Sequence, residues 1–184
     1  MKRVLLALFL AVAAVAVAAP VEFQLTDVKG NPVTISTANA DATVLVFIAT
    51  KCPISNDYNE RMKKLHGDFA GRKVQFAFVN ANVSEPADEV VSHARSNGFA
   101  FQVYKDVDNV LADKYSAQFT PEVFVFAKDG TQKYHGAIDD SRNAAKITRE
   151  HLRIALDEIL TGKAVTTSDT KAFGCTIKRA KKAS

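Results

Sequence analysis

Thr43-Val44-Leu45-Val46-Phe47-Ile48-Ala49-Thr50-Lys51-Cys52-Pro53-Ile54-Ser55-Asn56 is the stretch that decides how this chain folds. Its first seven residues form a continuous apolar run rich in β-branched side chains, the pattern of a strand covered on both faces. After Cys52 the period changes. Ile54, Tyr58, Met62, Leu65 and Phe69 recur at helical spacing, and Pro53 suits a first helical turn, where its missing N–H costs nothing. Cys52 therefore stands at the seam between a buried strand and a helix. There the unpaired N–H groups of the first turn favour the thiolate, the form of cysteine that reacts. The plainer alternative is an inert cysteine packed as a small hydrophobe.

Upstream of this stretch, Phe23-Gln24-Leu25-Thr26 and Val33-Thr34-Ile35 alternate apolar and polar residues around Asp27-Val28-Lys29-Gly30-Asn31-Pro32, so residues 22–36 read as a β-hairpin. Downstream, Lys73–Val79 reads as the next strand, and Ser84 as the N-cap of a helix with Pro86 just inside it, ending at Asn97-Gly98. Phe101–Tyr104 is a short strand, and Asp108 is placed to cap a helix running through Tyr115. Thr120-Pro121 precedes the strand Glu122–Phe126, which turns at Lys128-Asp129-Gly130 and pairs back through Thr131–Tyr134. A last helix carries Leu152, Ala155, Leu156, Ile159 and Leu160 on one face and stops near Gly162. Strands joined through helices are expected to pair in parallel, and the closing hairpin antiparallel. The fold class is therefore α/β, a central mixed sheet flanked by helices with an N-terminal hairpin.

The termini bound where the protein works. Lys2 and Arg3 precede an apolar run, Val4–Val17, followed by small residues at Ala16–Ala19, so residues 1–19 read as a secretory signal peptide. An uncleaved anchor is the alternative, but the apolar core is short for a bilayer span. No membrane span remains after cleavage. The mature chain of 165 residues divides into one domain, residues 20–162, and an irregular basic tail, residues 163–184, that contains Cys175. Losing Lys2 and Arg3 lowers the formal charge of +4 by two, too little to argue for nucleic acid. Lys178, Arg179, Lys181 and Lys182 read as a solvated tail. Export, to a periplasm, places the two cysteines in an oxidising compartment where one disulfide can form.

The element order, the cysteine ending the first long strand and Thr120-Pro121 before a later strand resemble the thioredoxin fold. More narrowly, Cys52-Pro53-Ile54-Ser55-Asn56, Thr120-Pro121-Glu122-Val123-Phe124-Val125-Phe126 and the tail Thr170-Lys171-Ala172-Phe173-Gly174-Cys175 resemble the redoxin branch. That branch holds the alkyl hydroperoxide reductase/thiol-specific antioxidant proteins and exported thioredoxin-like proteins. The likeness spans roughly residues 22–162. It implies a cis Pro121 against the active-site sulfur, backbone of Thr120 offered to an extended substrate, and Ser55 donating a hydrogen bond to the thiolate.

The chain also departs from the patterns of the proteins it resembles. Ser55 stands where a dithiol thioredoxin has its second cysteine, and Asn56 where a copper-delivery protein has one. Leu45 and Ala49 occupy the proline and threonine places of the peroxiredoxin motif, with Thr50 one residue off register. Cys175 has three readings: a resolving thiol for an oxidised Cys52, a permanent staple worth about 5 kcal/mol, or a free thiol. His66, His93, His135 and His151 lack paired metal spacing and read as surface or satisfied core. Asp139-Asp140 reads as a solvated turn, and no metal or organic cofactor is implied. The expected function is thiol chemistry outside the cytoplasm. Cys52 is the nucleophile on a protein disulfide or a peroxide, Cys175 or an external thiol resolves the intermediate, and an external electron donor completes turnover. The rival is a non-catalytic thioredoxin-like module that binds a partner or metal, stapled by Cys52–Cys175.

Overall fold

A computed structural model describes residues 18–181. The signal-peptide reading falls almost wholly on residues 1–17 and lies outside the described residues. The elements are β1 (Glu22–Thr26), β2 (Pro32–Ser36), β3 (Ala42–Ile48), α1 (Pro53–Asp57), α2 (Asn59–Asp68), β4 (Val74–Asn80), α3 (Ala87–Ser96), β5 (Val103–Lys105), α4 (Val110–Lys114), β6 (Phe119–Thr120), β7 (Glu122–Ala127), β8 (Gln132–Gly136), α5 (His151–Leu160) and β9 (Cys175–Thr176).

Seven strands form one mixed sheet in the order β2-β1-β5-β4-β3-β7-β8. The central strand is β3, the apolar run with which the sequence opens its case, and all seven of its residues are buried. It pairs in parallel with β4 (Val44↔Phe76, Val46↔Phe78) and antiparallel with β7 (Val44↔Val125, Val46↔Val123). β4 and β5 are parallel, and β8 closes antiparallel on β7. The hairpin β1–β2 joins β5 antiparallel through Thr26↔Lys105.

The period of two sorts the core. Val44, Val46 and Ile48 with Val123 and Val125 face Tyr58, Met62, Leu65 and Phe69 of the first helical layer and Leu152 and Leu156 of α5. Leu45, Phe47, Phe124 and Phe126 face the other way, against Phe23, Leu25, Leu111, Ala112 and Ile177. Each Val, Leu, Ile, Phe or Met among them stabilises the fold by about 1.5–3 kcal/mol relative to exposure. The fold is thioredoxin-like, as expected.

Local boundaries differ from the sequence reading. The helical stripe after Cys52 is split at Tyr58, whose N–H turns back to Ser55 and Asn56, so α1 and α2 are separate helices. Ser84 does not cap α3: Pro86 holds the extended N-cap position, and the helix begins at Ala87. The capping carboxylate of α4 is Asp106, which accepts from Leu111 and Ala112 at 2.8 Å each, while Asp108 sits in a left-handed kink at φ 59°. Asp139 is not solvated. It is 2 % exposed, takes two bonds from Arg61 at 2.9 and 2.8 Å, and accepts one from the Tyr58 hydroxyl at 3.1 Å. Among the described residues no helix is long and apolar enough to cross a membrane.

Candidate functional site

The site lies beyond the carboxyl end of β3, where open α/β sheets place their ligands. The chain leaves the strand at Ile48, passes Ala49-Thr50-Lys51, and turns into α1 at Cys52, which is the N-cap residue with Pro53 following. Cys52 is 4 % exposed, and its Sγ accepts the Ser55 backbone N–H at 3.3 Å. The Ser55 hydroxyl is used elsewhere, accepting from the Ala49 N–H at 3.1 Å, and Ser55 is 1 % exposed. It is thus the backbone of Ser55, not its side chain, that reaches the sulfur.

The Thr120–Pro121 peptide is cis, and the Thr120 carbonyl oxygen lies 3.5 Å from Cys52 Sγ. Cys52 is bonded to Cys175 across a Cα–Cα distance of 5.9 Å. Cys175 arrives on β9, which pairs antiparallel with β6 in the register Thr120↔Cys175 and Phe119↔Thr176. Cys52, Thr120, Pro121 and Cys175 are therefore brought together, with Ser55 behind the sulfur.

A buried polar scaffold fixes the loop before Cys52. Glu85, 2 % exposed, accepts the N–H groups of Thr50 (2.9 Å) and Lys51 (3.0 Å) and the side chain of Asn80 (2.5 Å). Burial pushes the Glu85 carboxyl up, but these donors outweigh it and hold it below the usual carboxylate range. Lys105 Nζ bridges Asn80 (2.6 Å) and the carbonyls of Asn82 (3.0 Å) and Glu85 (2.6 Å), and its burial lowers its own pKa. On the outer side Lys51 pairs with Glu89 at 2.6 Å, and Thr50 gives its hydroxyl to the same carboxylate. His93 meets Asn56 at 2.7 Å, and Asn56 holds the Thr50 carbonyl at 2.9 Å.

The tail is docked rather than solvated. His135 exchanges backbone bonds with Ser168 and Thr170 at 2.9 Å each, and the Thr170 Oγ lies 2.7 Å from the Tyr134 hydroxyl. Ile177 donates to the Gln118 carbonyl at 2.9 Å, Lys178 donates to Asn82 at 2.7 Å, and Arg179 pairs with Asp113 at 2.8 Å. His135 also stands between Glu122 (2.8 Å) and the tail's Asp169 (2.7 Å). Burial works against its charge, and the two carboxylates more than compensate, raising its pKa.

Sequence reading passed over Glu85, Glu122, Asp169 and the role of Gly174. Glu85, Asp169 and Gly174 lie in polar or turn-like stretches with no local mark of burial, and Glu122 opens an apolar strand with no local mark of its partners. A cleft of about 280 Å³ opens beside the disulfide between Lys51, Ser84 and Lys178. A larger groove of about 590 Å³ runs past Lys128 and Lys163 and includes neither cysteine. Among the described residues no three His, Cys, Asp or Glu side chains form a metal-holding group.

The chain matches the AhpC/TSA family over residues 15–135. No curated protein matches it. Among solved structures, it is 32% identical to an uncharacterized conserved protein from Geobacillus kaustophilus, with a TM-score of 0.80, covering 88% of this chain and 90% of that one. A hypothetical protein from Sinorhizobium meliloti 1021 is 28% identical, with a TM-score of 0.78 over 91% of this chain and 97% of that one. A thiol:disulfide interchange protein of the thioredoxin family from Chlorobium tepidum TLS shares the fold, at 19% identity and a TM-score of 0.59, covering 84% and 99%. Shared architecture and a family match across the segments that carry Cys52 and Pro121 lead to one conclusion: the chain belongs to the AhpC/TSA family.

Proposed function

We propose that this protein is an exported thiol oxidoreductase that exchanges disulfides with protein substrates, with Cys52 as nucleophile and Cys175 as its resolving partner. One observation carries the reading. Cys52 Sγ sits at the strand-to-helix seam, holds the Ser55 N–H, touches the cis Thr120–Pro121 segment, and is bonded to the second cysteine. The Ser55 N–H stabilises a thiolate there, as hydrogen bonding to a charged form does.

The chemistry balances without a cofactor. The Cys52 thiolate attacks a substrate disulfide, forming a mixed disulfide and releasing one substrate thiolate. The Cys175 thiolate then attacks Cys52 Sγ, forming the Cys52–Cys175 bond and releasing the second substrate thiolate. The substrate gains two electrons and the protein loses two. An external dithiol restores the protein by the reverse exchange. Peroxide reduction fits less well, because the Thr50 hydroxyl is engaged by Glu89 instead of facing the sulfur. Residues 1–19 act as the export signal, and residues 20–162 as the redox domain, in this reading.

A second reading, a binding module stapled by a permanent disulfide, draws support from the burial of Cys52 and the dense docking of residues 168–180. Redox mass balance separates the two. The purified protein is alkylated before and after mild dithiol, then after addition of a disulfide substrate, with Cys52 and Cys175 mapped by mass spectrometry. Reversible cycling of the pair supports exchange. A bond that persists in mild dithiol under native conditions supports the staple and rejects the enzyme.

A further inference from the structure

The segment that carries Cys175 is bound as a peptide would be bound. β9 adds to β6 antiparallel, with Cys175 opposite Thr120, and the next residues continue the contact through the Ile177 N–H to the Gln118 carbonyl. Ala172 and Ile177 are each 5 % exposed, and Phe173 packs on the core with its ring 6.1 Å from that of Tyr58. Between these anchors the backbone of Gly174 lies against Thr120 so closely that a Cβ there would stand 2.0 Å from the Thr120 oxygen and 2.6 Å from its carbonyl carbon. A cross-link alone requires only a sulfur within reach. Here main-chain pairing, two buried apolar positions and an approach open to glycine alone surround the sulfur.

We propose that this groove, where the resemblance already implies an extended substrate, selects glycine immediately before the cysteine of a partner protein's segment, and that residues 172–177 are its built-in occupant. The proposal rests on the thiol-exchange reading of Cys52 and adds the substrate class. Main-chain pairing with Phe119 and Thr120 sets the direction of the bound segment. Apolar residues two or three before and two after the cysteine would take the places of Phe173 or Ala172 and of Ile177. Any side chain at the position of Gly174 meets backbone, which cannot swing aside. The tethered tail competes with such a segment at the high effective concentration that tethering gives. Breaking the Cys52–Cys175 bond leaves the tail held by its other contacts, and the groove opens only when residues 172–177 undock.

The test uses full-length Cys175→Ser protein, in which Cys52 is the sole thiol, and the Cys175→Ser/Gly174→Val double variant, whose added side chain expels the tail. The probes are the hexapeptide Ala-Phe-Gly-Cys-Thr-Ile and its valine counterpart, Ala-Phe-Val-Cys-Thr-Ile, each bearing a 2-thiopyridyl disulfide on its cysteine. The Cys52 thiolate attacks the peptide sulfur, the bond to the pyridine sulfur breaks, and 2-thiopyridone leaves with the electron pair and is read by absorbance. The glycine peptide is expected to load at least tenfold faster than the valine peptide on both proteins. The double variant is expected to load the glycine peptide faster than the single one. Equal rates for the two peptides would overturn the selectivity, and equal rates for the two proteins would overturn the tail as occupant. 2,2′-Dithiodipyridine is the control. If it modifies Cys52 readily while the peptides do not discriminate, the groove proposal fails and the exchange reading stands. If it too leaves Cys52 unmodified in folded protein, the exchange reading fails and takes this proposal with it. Should the double variant not fold, the peptide ranking on Cys175→Ser decides alone.

Discussion

Replacing Cys175 by serine removes one covalent bond while leaving the tail's other contacts in place, so its effect falls on the unfolded chain. The bond joins residues separated by 123 positions. A loop of that length costs the unfolded chain conformational entropy worth about 5 kcal/mol at 25 °C in the chain-entropy account. The native state loses little, because Ala172 and Ile177 stay buried and Arg179 keeps Asp113. For a chain of this size each kcal/mol moves the melting temperature by about 2–4 °C, so the variant is expected to melt about 10–20 °C below the oxidised parent. The assay is thermal and urea unfolding followed by far-ultraviolet circular dichroism on oxidised parent, reduced parent, Cys175→Ser and Cys52→Ser. Reduced parent and both variants should agree within about 1 kcal/mol, since each lacks only the cross-link and serine caps a helix well. Oxidised and reduced parent melting at the same temperature would refute the reasoning. Whatever stability the bond lends the fold, the fold lends the bond.

Three further expectations follow from the surroundings of the disulfide. Glu85→Gln places an amide where a buried carboxylate accepts two backbone N–H groups, and should cost about 1–3 kcal/mol in urea unfolding. Because the folded Glu85 carboxyl is held below its ordinary value of 4.5, its contribution is present above that pH and fades as pH falls through the lowered value. The variant's deficit should therefore shrink only in acid, and a deficit constant down to strongly acid pH would contradict this. His135, with its pKa raised above 6.5, holds Asp169 most firmly below that pH and releases it as pH rises through the raised value. Asp169 is 75% exposed, so the effect is under about 1 kcal/mol, seen as weaker hydrogen-exchange protection of the Thr170 amide at alkaline pH after correction for intrinsic rate. Protection that strengthens with pH would count against His135 holding Asp169. Gly136→Ala, at φ 134° with a Cβ that would stand 2.1 Å from Thr170 Oγ, should lower the melting temperature and loosen residues 168–170; an unchanged melt would show that the tail does not lie there.

Much of the frame was legible along the chain because it depends on periodicity. The apolar run of β3, the change of period at Cys52 and the alternation in β1 each specify an element from near neighbours, and the burial observed follows those periods. Boundaries were less legible where a side chain serves a distant partner. Asp106 rather than Asp108 caps α4 because its carboxylate can reach Leu111 and Ala112, and Asp139 is buried because Arg61, 78 positions away, neutralises it. No local pattern separates such residues from solvated ones.

The sequence by itself determined that a thiol stands between a buried strand and a helix, that a Thr-Pro precedes a later strand, and that one disulfide is available. These are properties of short stretches, set by period and turn chemistry. Only the tertiary structure decided that β9 lies against β6, that Gly174 is there because the Thr120 backbone leaves no room, and that Glu85 holds the loop before Cys52. Those facts join residues as distant along the chain as Lys51 and Glu85 or Phe119 and Thr176, and such encounters are fixed by how the packed layers bring chain ends and loops together, which no stretch of sequence states alone.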